Sequence, residues 1–340
     1  MALNGLKYSA GLLSALNDLV ALLEPGVAQG HSFEFPSQGA ARAAEVAMYE
    51  WKTAGNEGLP PTLSKADVRA GIYDLARPAA QLRAYSQVVR VALVEHAKLA
   101  ANKLAEGKLL TGLVALRGLI ERIGALADNE RRISNQLGSG DITLQEVLDA
   151  SETIMKAIYG IRIDWVALAA AELRSFDPKD LPYKARPLTA DMTARNVLTG
   201  VDLLEKRAPG TRVAYEVLCE FLHPNIGDLV SSSLASDSSH DHWGTRHMRR
   251  TIGLGAADLS RQFDLARVLD GVFEITTELV GLVPDLLSKL DELISTASKA
   301  TKKAQHSTIR RNRDLFLRAD PCPCLSGKTI RACAPMALKS

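Results

Sequence analysis

Three of the four cysteines fall within twelve residues near the C-terminus, in DPCPCLSGKTIRACAP (residues 320–335). Cys322 and Cys324 bracket Pro323, and Cys333 returns after a short polar turn. Thiolates spaced this closely suit a structural metal, because a tetrahedral ion then orders little chain for each bond it makes. A Cys-x-Cys pair with a third cysteine nine residues on fits a metal or reduced thiols better than a disulfide framework. Cys322, Cys324 and Cys333 are therefore the candidate metal ligands, with zinc the expected ion. One tetrahedral corner remains to be filled. Asp320, a histidine such as His306, a water or another chain are the options, and a tail whose thiols bind nothing is the alternative.

The stretch PCPCLSGKTIRACA (residues 321–334) resembles the SEC-C motif, the small zinc-binding module at the C-terminus of the SecA preprotein translocase and of many otherwise unrelated bacterial proteins. That pattern runs C-P-C-G-S-G-K-x-aromatic-x-x-C and is followed directly by Cys or His. The resemblance assigns Cys322, Cys324 and Cys333 to ligand positions and Ser326, Gly327 and Lys328 to the connecting turn. Three positions depart from it. Ala334 stands where the fourth ligand belongs, Leu325 where the family has glycine, and Ile330 where it has an aromatic residue. Alanine cannot coordinate, and leucine resists a positive φ that glycine accepts.

A second constellation lies in RVAYEVLCEFLHPNIGD (residues 212–228). Tyr215, Cys219 and His223 are four residues apart and line one helix face, with Glu216 and Glu220 on the adjacent face. This spacing makes His223 a candidate general base or ligand supported by Glu220 or Tyr215. The simpler reading puts His223 in the last helical turn, capping open carbonyls ahead of Pro224. Upstream, Arg117 and Glu121 sit four apart in ALRGLIERIGAL (residues 115–126). If exposed they form a weak intrahelical pair; if buried they would join helices, through Tyr215 or His223. An R-x-x-x-E helix followed by a Y-x-x-x-C-x-x-x-H-P helix is similar to uncharacterised bacterial helical proteins grouped near the HEPN toxins and defence proteins. The HEPN nuclease motif itself is not met: Arg212 and His223 are too far apart, and no histidine follows Arg195-Asn196 at the needed distance. In HDHWGTRHMRR (residues 240–250), His240 and Asp241 make an accidental-looking His-Asp pair in a serine-rich stretch read as a loop. Arg246, Arg249 and Arg250 form a small basic patch that could touch phosphate.

The elements that must position these residues are helices. Leu109, Leu113, Leu116, Ile120, Ile123 and Ala127 recur every three or four residues, as do Leu259, Phe263, Ala266, Leu269 and Phe273. Leu286, Leu290 and Leu293 continue the pattern beyond Pro284, which is expected to kink or divide that helix. Thr143 to Glu146 reads as a capping box. Strand signals are few, so the expected fold is all-α: a multi-helix bundle with a small zinc-knuckle-like tail. The 340 residues divide by composition into an N-terminal helical pair (1–60), a helical body (61–301), a basic connecting segment (302–318) and the tail (319–340).

Hydrophobic residues make up 46% and charged residues 24% of the chain, so disorder is excluded. A net charge of +2 confines any nucleic-acid affinity to local patches. The N-terminal leucines at 12, 16, 19 and 23 fit one face of a core helix, and Asn17 and Asp18 interrupt the run. An export signal or membrane span is not expected from it, and a cytoplasmic location is. Walker, dinucleotide, G-x-S-x-G and H-E-x-x-H motifs are absent. An interaction or adaptor role, docking a protein or nucleic acid through residues 302–318 and the tail, fits these features best. The alternative is a metal-dependent nuclease or phosphohydrolase, a toxin or defence effector centred on His223 and Glu220.

Overall fold

The computed structural model describes residues 6–33, 78–138, 144–159, 196–222, 233–240, 242–252, 263–311, 322 and 328–333. In chain order the elements are α1 (Ser9–Val27), α2 (Pro78–Ala105), α3 (Leu109–Leu137), α4 (Leu144–Tyr159), α5 (Val197–Glu205), α6 (Thr211–Glu220), β1 (Ser233–His240), β2 (Arg246–Ile252), α7 (Phe263–Arg311) and α8 (Ile330–Cys333). Among the described residues the fold is all-α, with one β-hairpin attached. Helix α4 begins at Leu144; Thr143, the expected cap, lies outside the described residues.

Two compact units are formed by alternating segments of chain. The first is Met1–His31, Gln87–Asp128 and Asn196–Leu287; the second is Ser32–Ser86, Asn129–Arg195 and Ser288–Ser340. In the first unit α3 is extensively buried as far as Asp128. Leu113, Ala115, Leu116, Leu119, Ile120, Ile123, Leu126 and Ala127 are all buried, which covers far more than the single stripe a surface helix hides. Helices α2 and α3 are joined by a tight C-terminal cap at Gly107, whose φ is 75°. Lys108 N donates to Lys103 O (2.8 Å) and Gly107 N to Leu104 O (3.0 Å), the paired bonds that close a helix through a left-handed residue. Helix α1 is tied in by Tyr8 N donating to Asp270 Oδ1 (3.1 Å) and by the Glu24–Lys98 ion pair.

Leu12, Leu16, Leu19 and Leu23 are buried on one face of α1. By length and composition α1 nevertheless passes as a membrane-crossing helix. Helix α7 runs unbroken through Pro284, so the expected division does not occur. Pro284 is exposed, while Leu279, Val280, Val283, Leu286 and Leu287 are buried around it. Packing on both sides holds a helix that has lost one backbone bond.

The stretch read as a serine-rich loop is the hairpin. β1 and β2 pair antiparallel, with Asp237 opposite Arg249, Ala235 opposite Arg250 and His240 opposite Arg246, and with a bulge between Ala235 and Asp237. Gly244, at φ 79°, supplies the turn. Small polar residues hid the strands because they carry no hydrophobic alternation.

Helix α6 shows how local chemistry sets an element. Its N-terminal amides are held by the preceding helix: Glu205 accepts from Gly210 N (2.9 Å) and from Arg212 N (2.8 Å). Those two backbone bonds, Arg212's first, hold the Glu205 carboxyl below its ordinary value, against desolvation. A depressed carboxyl contributes stability above its unfolded pKa and loses it as pH falls through the folded one. Wild type should therefore melt above Glu205→Gln at neutral pH, and the gap should close on acidification below the usual carboxylate range. A gap independent of pH would dismiss the carboxylate cap.

Candidate metal centre and the polar clamp of the helical body

His306 lies on α7, sixteen residues before Cys322, and the fold brings it back to the cysteines. The donor atoms of His306, Cys322 and Cys333 all lie within 4.8 Å of one another. Cys322 Sγ is 3.5 Å from His306 Nε2. Cys322 is buried, whereas His306 and Cys333 are partly exposed. Backbone bonds set the geometry of the tail. Cys322 N donates to Lys328 O (2.8 Å), and Cys333 N donates to Thr329 O (2.9 Å) across the single turn of α8. Thr329 Oγ1 also accepts from Ala332 N (3.4 Å). Ile330 is fully buried.

Burial, with help from the positive charges of Lys302 and Arg310, holds the His306 imidazole below its ordinary pKa. A neutral ring keeps the lone pair a metal requires. Two thiols and one imidazole, converging from a helix and a turn, can hold a metal ion. Of the three cysteines expected as ligands, the structure brings Cys322 and Cys333 together, while Cys324 lies outside the described residues. His306 was one of several options from sequence because its distance along the chain carries no motif.

The second constellation sits in the helical body. Arg117 and Glu121 on α3 meet Tyr215 and Cys219 on α6. Arg117 Nη2 donates to Tyr215 OH (2.9 Å), and Arg117 Nε donates to Cys219 Sγ (3.2 Å). Tyr215 OH donates to Glu121 Oε1 (2.8 Å), which also pairs with Arg117 Nη2 (2.9 Å). The expected choice between an exposed and a buried pair resolves to a partly buried one, with Arg117 27% and Glu121 25% exposed. Burial, then the hydrogen bond and charge of Glu121, push the Tyr215 phenol well above its usual pKa; Arg117 only partly opposes this. Burial would lower the Arg117 pKa, but the Cys219 sulfur and the Glu121 charge outweigh it and raise it. Both shifts keep Tyr215 a neutral phenol and Arg117 a cation at neutral pH. The phenol does not serve as a base here, and the cluster reads as a clamp between α3 and α6.

Glu220, proposed as a partner of His223, is exposed at the end of α6; His223 lies outside the described residues. Asn196 caps α5 by accepting from Leu198 N (3.1 Å). Arg212 is paired with Asp202 (2.9 Å) and Glu216 (2.8 Å). His240 ends β1, and Asp241 lies outside the described residues. Comparison with protein-family models, curated proteins and solved structures finds no match.

Proposed function

We propose that this chain is a helical interaction protein of the bacterial cytoplasm, whose C-terminal module is closed by zinc and docks a protein or nucleic-acid partner. The observation that carries the reading is the convergence of His306, Cys322 and Cys333. Zn–S and Zn–N bonds of about 2.3 and 2.0–2.1 Å at tetrahedral angles separate sulfur from nitrogen by about 3.6 Å. The Cys322–His306 separation of 3.5 Å fits that edge. Zinc would supply structural closure and no redox chemistry. The site's own residues would hold Cys322 and α8 to the end of α7, where Lys302, Lys303 and Arg310 are exposed. Those cations would attract an acidic surface, an attraction that weakens as salt rises. Thiolate ligands also require the reducing compartment expected from cysteine usage.

The test is the metal content of reduced, purified protein and of Cys322→Ser/Cys333→Ser, with partner recovery from extract measured in parallel. About one zinc per chain, lost together with salt-sensitive partner recovery in the variant, is the expected result. Wild-type protein without metal, or recovery that is unchanged in the variant, rejects the proposal.

A further inference from the structure

Two of the metal donors are also redox centres. The sulfur atoms of Cys322 and Cys333 lie within 4.8 Å of each other, and a sulfur–sulfur bond is about 2.0 Å long. Rotation of the side chains closes most of that difference. The backbone keeps the pair together without help from a metal. Cys322 N donates to Lys328 O (2.8 Å), and Cys333 N donates to Thr329 O (2.9 Å). Both cysteines are thus tied to adjacent residues of one short segment.

The two sulfurs differ in access. Cys333 is partly exposed and Cys322 is buried. In such a pair an oxidant reaches the outer thiol first, and the inner one is held close enough to resolve the product. Cys219, the remaining described cysteine, belongs to the first unit. Its sulfur accepts a hydrogen bond from Arg117 Nε (3.2 Å).

We propose that Cys322 and Cys333 are a peroxide-sensitive pair, in which a disulfide between them and a zinc ion on them exclude each other. The inference rests on the zinc-closed module proposed above and adds the reaction that opens it. The Cys333 thiolate attacks one oxygen of hydrogen peroxide; the O–O bond breaks, hydroxide leaves, and a sulfenic acid forms. The Cys322 thiolate then attacks the Cys333 sulfur, the S–O bond breaks, and a second hydroxide leaves. The two thiolates have lost two electrons. Peroxide has gained them and, with two protons from solvent, has become two waters. Neither sulfur of the disulfide is the thiolate that a metal requires, so of the three converging donors only His306 is left and zinc departs. A dithiol reductant restores both thiolates by exchange. The metal link from Cys322 and α8 to α7 is therefore present in the reduced protein and broken in the oxidised one.

The test treats full-length, reduced, zinc-loaded protein with hydrogen peroxide beside a chromophoric chelator. About one zinc per chain should be released as two of the four thiols disappear, and a dithiol followed by zinc should restore both. Trypsin cuts after Arg318, Lys328, Arg331 and Lys339, so a non-reduced digest should join residues 319–328 to residues 332–339. Cys324 shares the first peptide, and Cys324→Ser assigns the bond: the same two peptides should still be joined. Cys219→Ser should release zinc as wild type does. Zinc that stays bound through the treatment overturns the switch and leaves the zinc-closed module standing. Reduced protein that takes up no zinc rejects the module, and the switch with it. Peptides left unjoined in Cys324→Ser overturn the pairing. So do a disulfide between two copies of the chain, and Cys333 carried on to sulfinic acid with no disulfide formed.

Discussion

A single methyl group added at Gly200 is expected to pry α5 away from α3 and to destabilise the protein by about 3 kcal/mol, the upper part of the overpacking range. A Cβ built on Gly200 would stand 2.5 Å from the Gly124 carbonyl carbon and 2.6 Å from its oxygen. On Gly124 it would stand 2.9 Å from Gly200 C and 3.1 Å from Val201 N. Backbone lies on both sides, so no flexible side-chain tip can move away. Gly200→Ala should lower the melting temperature by roughly 5 °C, and Gly124→Ala by a similar amount. The double variant should cost less than the sum, because one separation of the helices relieves both clashes. Gly281→Ala is the control: nothing lies within 4 Å of its Cβ position on α7. There the helix should gain about 0.5–1 kcal/mol from losing a glycine. Equal effects at Gly200 and Gly281 would show that backbone entropy, not close approach, governs both.

That glycine contact has consequences for the polar clamp. Helix α5 leads into α6 through the Glu205 cap, and α6 carries Tyr215 and Cys219 to Arg117 and Glu121. The crossing of α5 on α3 at Gly124 therefore helps set where the Tyr215 hydroxyl arrives. Moving α5 would strain a network in which one partly buried carboxylate and one guanidinium satisfy each other. Leaving either without its partner costs more than the net worth of the pair. Close backbone packing and polar register are coupled along one stretch of chain.

The helical core was legible because burial imposes a period. Leu113, Leu116, Ile120, Ile123 and Ala127 repeat at three and four residues, and all are fully buried. The Arg117–Glu121–Tyr215 grouping was legible as a possibility, since four-residue spacings put the partners on single faces. What joined them was the packing of α3 on α6, which no local spacing encodes. The hairpin escaped because Ser233–His240 offers neither apolar alternation nor β-branched residues, so the register is visible only once the strands pair. At Pro284 the helix is not divided, since buried side chains before and after it hold both halves in place. The Gly124–Gly200 approach left no trace in sequence, because a glycine inside a helix reads the same whether it is packed or bare.

The second large effect is expected at the metal centre. His306→Ala should weaken zinc affinity by more than the roughly 10–100-fold that loss of a residue merely orienting a ligand costs. Take a hundredfold loss and free zinc fixed at 100 times the wild-type Kd. Binding then stabilises wild type by about 2.7 kcal/mol and the variant by about 0.4 kcal/mol. Competition against a chromophoric chelator reads the affinity directly, whether or not the tail unfolds with the rest of the chain. His306→Cys should retain tight binding, since a thiolate also ligates zinc, while His247→Ala, exposed on the hairpin, should bind as wild type does. Cys322→Ser should cost at least as much as His306→Ala, because Cys322 is the buried candidate ligand and its backbone is fixed by Lys328. If His306→Ala binds zinc like wild type while Cys322→Ser does not, the tail closes its site without α7. Lys302, Lys303 and Arg310 then lose their link to the cysteine turn. If both fall together, the metal ties the turn to the end of α7, and chelation should release the one from the other.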